Sequence, residues 1–242
     1  MKRAVLIVED SETFAGILTA QLQKRLSMTV VWANSLAEAE RILAETEDGA
    51  FCFALLDLHL PDAPKGEVVD RVLATGIPAA VFTGDFSHEA QEFVWKRPIV
   101  DYVLKEGPQS IEYVVDMIDR FLKNQGLEVL VVDDSPTTRS YTRRLLEIHR
   151  YKVLEAEDGK TALDILRQRP GIKLAIVDYQ LPGMTGFELT KNIRVTHGMD
   201  RLAVIGVSAQ EDPSLSVRFM KYGANDFLTK PISKPDLTER IR

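Results

Sequence analysis

Val5-Leu6-Ile7-Val8-Glu9-Asp10-Ser11, near the start of the chain, is matched later by Val129-Leu130-Val131-Val132-Asp133-Asp134-Ser135. The second carboxylate of one stretch lies 134 − 10 = 124 residues from its counterpart in the other. In both stretches four apolar residues precede two carboxylates, the pattern of a strand that is buried on both faces and ends at a polar edge. A pattern that returns at a fixed distance indicates an internal repeat.

Three further blocks repeat in the same order. Residues 55–61 return as 176–182 with an offset of 176 − 55 = 121, and residues 81–84 and 101–105 return as 206–209 and 226–230 with an offset of 206 − 81 = 125. Four blocks at nearly constant spacing predict a duplicated unit of about 120 residues, long enough to bury a core of its own. We expect a first domain at 1–124, a short linker at 125–127 and a second domain at 128–242.

Strands and helices are predicted to alternate within each unit. Ser135-Pro136 predicts a helix start, because serine caps helices and proline suits the first turn. Asn34-Ser35 and Asp158-Gly159 predict the start of the second helix in each unit. This alternation predicts the α/β class, with two tandem doubly wound, parallel five-stranded sheets. The strands predicted in the first unit are 5–9, 29–33, 53–57, 79–83 and 99–104.

Composition narrows the class of protein. The 242 residues include 30 Lys+Arg and 36 Asp+Glu, a net charge of −6, which does not predict a surface for nucleic acid. The single cysteine, Cys52, excludes a disulfide within the chain, and its apolar surroundings are typical of a small core residue. No apolar stretch approaches the ~20 residues of a membrane-spanning helix. We expect a cytoplasmic protein that binds neither membrane nor nucleic acid.

The repeated blocks deliver polar side chains to the carboxyl ends of strands, where open α/β sheets bind ligands. Three neighbouring carboxylates repel one another unless a cation lies among them, and Mg²⁺ accepts carboxylate, water and phosphate oxygens. A carboxylate can also attack phosphorus, with an ammonium and a hydroxyl holding the transferred group. The polar set is Glu9, Asp10, Asp57, Thr83 and Lys105 in the first unit, and Asp133, Asp134, Asp178, Ser208 and Lys230 in the second.

These residues, in this order, resemble the response-regulator receiver domains of two-component signalling, over nearly the whole chain. The resemblance implies two flavodoxin-like (βα)5 domains in the N-terminal regulatory half of a longer protein, with the last helix cut short. It implies that Asp57 and Asp178 are the phosphoacceptors and also bind Mg²⁺. The other implied Mg²⁺ ligands are Asp10 and Asp134 directly, Glu9 and Asp133 through water, and the backbone carbonyls of His59 and Gln180. The resemblance further implies that Thr83, Ser208, Lys105 and Lys230 bind the phosphoryl group and that Tyr102 and Phe227 are the switch aromatics.

The same resemblance implies a function. Each receiver would take a phosphoryl group from a phosphohistidine of a sensor histidine kinase or phosphotransfer protein, and would change conformation to regulate an output domain. We expect that output to be a diguanylate cyclase. We also expect a homodimer through the face of the fourth helix, fifth strand and fifth helix, at about residues 212–242 of the second unit. No stand-alone enzyme is expected, because the chain would catalyse only its own aspartyl phosphorylation and dephosphorylation.

The first unit departs from the family pattern. The second unit has Lys230-Pro231, where the family commonly has a cis bond, whereas the first has Lys105-Glu106-Gly107-Pro108 and an unusual loop at 60–66. An alternative is therefore that one receiver, the first rather than the second, is mainly a scaffold for dimerisation or partner binding, and only the second is the phosphorylation switch.

The sequence lacks the residues that a phosphatase, a nucleotide-binding protein or a DNA-binding protein would need. A haloacid-dehalogenase-type phosphatase needs an acid two residues after its nucleophile, where His59 and Gln180 stand. No phosphate-binding Gly-x-x-x-x-Gly-Lys-Ser/Thr loop is present, and no helix-turn-helix is left over once the two units are assigned.

Overall fold

The computed structural model describes residues 4–209 and 213–241. Its contacts divide the chain into two compact units, Met1–Arg120 and Phe121–Arg242. The division falls within a helix, Pro108–Lys123, which a turn at 124–126 connects to the next strand. The linker expected at 125–127 therefore lies just after this helix.

The described part of each unit alternates strands with helices. The first unit contains β1 (Ala4–Val8), α1 (Glu12–Leu26), β2 (Thr29–Ala33), α2 (Leu36–Glu45), β3 (Phe51–Leu56), α3 (Glu67–Leu73), β4 (Ala79–Thr83), α4 (His88–Trp95), β5 (Tyr102–Leu104) and α5 (Pro108–Lys123). The second contains β6 (Glu128–Val132), α6 (Pro136–Ile148), β7 (Lys152–Ala156), α7 (Gly159–Gln168), β8 (Leu174–Asp178), α8 (Gly186–Thr196), β9 (Ala203–Ser208), α9 (Pro213–Lys221), β10 (Asp226–Thr229) and α10 (Lys234–Arg240).

Both sheets have the predicted doubly wound topology. The strand order is β2-β1-β3-β4-β5 in the first unit and the equivalent β7-β6-β8-β9-β10 in the second, and all the paired strands are parallel. The central strands are buried along their whole length, as parallel strands covered on both faces must be. The predicted α/β class and the tandem arrangement are confirmed.

The predicted helix starts are also confirmed. Ser135 caps α6 by accepting from the Thr138 N–H, and Pro136 is the first residue of that helix. Ser35 and Asp158 cap α2 and α7 in the same way. These side chains satisfy N–H groups that have no partner within the first helical turn. Cys52 is buried in β3, as its apolar neighbours predicted.

Three strands of the first unit have other bounds than predicted: β1 is Ala4–Val8 rather than 5–9, β3 is Phe51–Leu56 rather than 53–57, and β5 is Tyr102–Leu104 rather than 99–104. The last strand of the first unit begins at Tyr102 rather than at residue 99, although Ile99 and Val100 are both buried. Ile99 packs in the hydrophobic core of the first unit, and the Val100 N–H donates to the Ala79 carbonyl at 2.7 Å, but regular pairing with β4 begins only at Tyr102. Within residues 4–209 and 213–241, no helix has both the length and the apolar composition needed to cross a bilayer.

Candidate functional site

Three carboxylates meet at the carboxyl edge of each sheet. Glu9 and Asp10 follow β1 and Asp57 follows the neighbouring β3, and one oxygen from each lies within 4.8 Å of the others. Glu9 and Asp57 are buried, whereas Asp10 is exposed to solvent. The second unit repeats this arrangement, including the pattern of burial, with the carboxylates of Asp133, Asp134 and Asp178.

A lysine forms ion pairs with two of the three carboxylates. The Lys105 Nζ lies 2.6 Å from Glu9 Oε2 and 2.6 Å from Asp57 Oδ2. In the second unit the Lys230 Nζ lies 2.6 Å from Asp133 Oδ2 and 3.0 Å from Asp178 Oδ2. Each lysine directly follows the last strand of its sheet, so the parallel order brings its ammonium to the same edge as the acids.

Burial and ion pairing act in opposite directions on these groups. Burial raises the pKa of Glu9, and the ion pair with Lys105 offsets this only in part. Burial likewise raises the pKa of Asp178 in spite of Lys230. Burial alone would lower the pKa of Lys230, but its hydrogen bonds with Asp133 and Asp178 outweigh that effect and raise it. The ammonium therefore stays charged, and the remaining negative charge favours a bound cation.

The donor set fits a hard divalent cation. All three candidate ligands in each unit are carboxylates, and Mg²⁺ prefers oxygen ligands while retaining several waters. Asp10 and Asp134 are open to solvent on one side of each cluster, which leaves room for those waters.

Local structure fixes the acid at the end of β1 and β6. The Ser11 N–H donates to Glu9 Oε1 at 3.3 Å, and the Ser135 N–H donates to Asp133 Oδ1 at 2.9 Å. Both serines are the N-caps of the following helices, so the turn that starts each helix also orients the acid. In the first unit the Trp32 indole donates to the Glu9 carbonyl at 2.8 Å.

The two predicted hydroxyl residues are joined to the lysines through the backbone. Thr83 and Ser208 end β4 and β9, and both are almost completely buried. The Lys105 N–H donates to the Thr83 carbonyl at 2.9 Å, and the Lys230 N–H donates to the Ser208 carbonyl at 2.8 Å. Each hydroxyl residue and its lysine therefore sit on adjacent strand ends, next to the carboxylates.

The two predicted switch aromatics are held by different contacts. The Tyr102 hydroxyl donates to the Asp85 carbonyl at 2.5 Å, and burial is the main cause that raises the Tyr102 pKa to about 12. The Phe227 ring packs against the Phe219 ring with centroids 5.6 Å apart. Both rings are partly buried, and their movement on phosphorylation remains a prediction.

His59 bridges two loops beside the first site. Its Nε2 lies 2.9 Å from Asp85 Oδ2, its Nδ1 lies 3.1 Å from the Pro64 carbonyl, and its N–H donates to Asp57 Oδ1 at 3.3 Å. The hydrogen bond with Asp85 is the main cause that raises the His59 pKa. The ring is therefore a structural link rather than a free surface group. Gln180, at the equivalent place, is exposed, and the metal-binding role of both backbone carbonyls stays a prediction.

Two acids near the first site were not predicted to take part in it. Asp85 pairs with His59, and the only sequence signal was its place two residues after the end of β4. Asp62 accepts from the Leu36 and Ala37 N–H groups at 3.0 and 2.9 Å, and so caps α2 from the loop at 60–66. This contact gives a physical reason for the unusual sequence of that loop. The Lys230–Pro231 bond is cis, as predicted.

Comparisons with known proteins agree with this geometry. The family model of the response regulator receiver domain matches residues 129–242. The two-component response regulator ORR11 of Oryza sativa subsp. indica is 34% identical over 110 residues, which are 46% of this chain and 75% of that protein. The two-component response regulator ORR7 of Oryza sativa subsp. japonica is 36% identical over 110 residues, 46% of this chain and 52% of that protein.

A solved structure covers both units. It is described as a two-component system response regulator/GGDEF domain protein, is 36% identical and has a TM-score of 0.85, over 99% of this chain and 96% of that one. A second structure of the same description is also 36% identical, with a TM-score of 0.84 over the same shares.

Proposed function

Since the chain belongs to the response regulators of two-component signalling, we propose that each of its receivers accepts a phosphoryl group on one aspartate, Asp57 in the first and Asp178 in the second. The donor is a phosphohistidine on a sensor histidine kinase or a phosphotransfer protein. One observation carries this proposal: in both repeats a buried aspartate shares a lysine with a second acid and lies within a cluster of three carboxylates.

The nucleophile in this reaction is a carboxylate oxygen of the acceptor aspartate. As that oxygen bonds to phosphorus, the P–N bond to the donor imidazole breaks and its electron pair returns to the imidazole nitrogen. Mg²⁺, when bound, neutralises charge on the transferred group. It would be held by Asp10 and Asp57 in the first unit and by Asp134 and Asp178 in the second, with Glu9 and Asp133 acting through water.

The other site residues position the phosphoryl group. The Lys105 and Lys230 ammonium groups already contact the acceptors, and on transfer each would pair with a phosphoryl oxygen. The Thr83 and Ser208 hydroxyls, on the adjacent strand ends, would donate to another of its oxygens. Because the strand ends fix these ammonium and hydroxyl groups in place, little reorganisation is required when the negatively charged phosphoryl group reaches the site.

Phosphorylation would act on the rest of the protein through the aromatic residue of the last strand. Inward movement of Tyr102 or Phe227 would repack the fourth helix against the sheet and change the surface formed by that helix, the last strand and the last helix. We propose that this surface mediates homodimerisation and that the regulated output is a diguanylate cyclase. Support for the output comes from the two similar structures, which are named for a GGDEF domain.

An experiment with beryllofluoride separates two active receivers from one receiver plus a scaffold. With Mg²⁺ present, ¹⁹F NMR of the whole chain should show two bound beryllofluoride signals. Asp57→Asn should remove one and Asp178→Asn the other, whereas Asp48→Asn, an exposed acid outside both clusters, should keep both. If Asp57→Asn leaves the spectrum unchanged while Asp178→Asn empties it, the first receiver is a scaffold. Absence of any bound signal would refute the proposal.

A further inference from the structure

Phe219, on α9, occupies space left by a glycine in the second sheet. The Phe219 side chain is completely buried. A Cβ placed on Gly206 would lie 2.5 Å from both Cγ and Cδ1 of the Phe219 ring, which is too close for any real contact. Gly206 has no positive φ, so its backbone is one that any residue can adopt. It is the ring, and not the turn of the chain, that requires glycine here.

Gly206 lies on the strand between the one that carries the proposed acceptor and the one that carries the proposed switch aromatic. Gly206 pairs with Val177 on one side and with Phe227 on the other. Val177 directly precedes the proposed acceptor Asp178, and Phe227 is the proposed switch aromatic. The ring of Phe219 therefore packs at the centre of the three strands that connect the acceptor with the switch.

Ring contacts extend from Phe219 in both directions. Its centroid lies 6.5 Å from that of Tyr179, the residue after Asp178, and 5.6 Å from that of Phe227. A third ring, Phe187 at the start of α8, lies 4.7 Å away. One side chain thus touches both the residue next to the acceptor and the residue proposed to move. Because a packed interior resists small displacements, neither neighbour can shift without the ring of Phe219.

The first unit is built differently at the same places. With the offset of 125, Gly206 corresponds to Val81 and Phe219 to Val94, both of them completely buried. Val81 pairs with Leu56 and with Tyr102, so the register is the same. The first unit therefore has two valines where the second unit has a glycine and a phenylalanine. Tyr102 is held instead by its hydroxyl, at the Asp85 carbonyl.

We propose that Phe219 is the positioning residue that couples Asp178 to Phe227 and α9 in the second receiver. When Asp178 accepts a phosphoryl group, the ring of Phe219 moves with Phe227, and α9 moves with the ring. The exposed side chains of Val217 and Met220 on α9 carry this change to the surface. The inference rests on the proposed function of Asp178 and adds the route by which that site acts.

The decisive variant is the double substitution Gly206→Val with Phe219→Val, which copies the valine pair of the first unit. Amide chemical shifts of α9 are followed as beryllofluoride and Mg²⁺ are added to the whole chain, and urea unfolding is measured alongside. We expect the double variant to keep the affinity for beryllofluoride at Asp178 and a similar urea midpoint. Its beryllofluoride-induced shifts in α9 should fall at least about threefold, within the range for substitutions along a coupled network.

Phe219→Leu is the companion variant, since it keeps apolar bulk without the ring and leaves Gly206 in place. Val94→Ala, a cavity at the equivalent place in the first unit, is the matched control and should leave the α9 response unchanged. A full α9 response in either the double variant or Phe219→Leu would overturn the inference. Failure of the unsubstituted chain to bind beryllofluoride at Asp178 would instead refute the proposed function, and the inference with it.

Discussion

Acidification should destabilise the second unit through one buried histidine. His149 ends α6, is 7% exposed, and places Nε2 3.2 Å from Thr238 Oγ1 on α10. Burial, with a smaller effect of the nearby Lys234 ammonium, lowers its pKa from 6.5 to about 4. The unfolded chain therefore binds a proton that the folded chain excludes. The stabilisation is complete above pH 6.5 and is lost as the pH falls towards 4.

The size of the effect follows from the shift in pKa. A difference of 6.5 − 4 = 2.5 pKa units between the two states corresponds to about 3 to 4 kcal/mol in full, because each pKa unit is worth about 1.4 kcal/mol. Only part of it is lost at pH 5.5, where the linkage relation gives about 1 kcal/mol.

Urea unfolding followed by circular dichroism at pH 7.5 and 5.5 measures this loss. His149→Gln keeps a hydrogen-bonding side chain but has no proton to exclude. It should therefore lose about 1 kcal/mol less than the unsubstituted chain between the two pH values. His88→Gln, at an exposed position on α4, should behave like the unsubstituted chain. Equal losses for the unsubstituted chain and His149→Gln would refute the reasoning.

Three further predictions concern the first unit. Tyr102→Phe removes the hydrogen bond to the Asp85 carbonyl and should lower the free energy of unfolding by about 1 kcal/mol. Urea unfolding followed by tryptophan fluorescence measures this change, and the control Tyr141→Phe in the second unit should not show it. Mg²⁺ should change the fluorescence of Trp32, because the Trp32 indole donates to the carbonyl of the site residue Glu9. The change should survive in Trp95→Phe and disappear in Trp32→Phe. The reverse result would place the ion elsewhere. Asp62→Ala removes the acceptor for two N–H groups of α2 and should lower the thermal midpoint, while the control Asp48→Ala should not; equal midpoints would show that the cap contributes nothing.

Much of the fold and of both acidic clusters could be predicted because each depends on short segments of sequence. A buried parallel strand requires a continuous apolar run, and the residue after such a run must lie at the sheet edge. Asp57 and Asp178 could therefore be placed near their partner acids before any contact was known. Burial alone does not define a strand, which is why the run that includes Ile99 and Val100 was assigned too early a start.

Contacts between distant surface segments could not be predicted in this way. His59 pairs with Asp85 and Asp62 caps α2, and in both cases the partners lie about 26 residues apart among many other exposed acids. Sequence does not indicate which of those acids the folded loops bring within reach. The contact of Phe219 with Gly206 did leave a signal, because a glycine inside a strand marks a close approach by another group.

The most direct test is intact mass spectrometry of the chain after incubation with acetyl phosphate and Mg²⁺. We expect the unsubstituted chain to gain up to two phosphoryl groups and each of the single variants Asp57→Asn and Asp178→Asn to gain one. The variant that carries both Asp→Asn substitutions should gain none, and chelation of Mg²⁺ should prevent every addition. A chain that gains no mass, or a double variant that gains as much as the unsubstituted chain, would contradict the assignment of these two aspartates as phosphoacceptors.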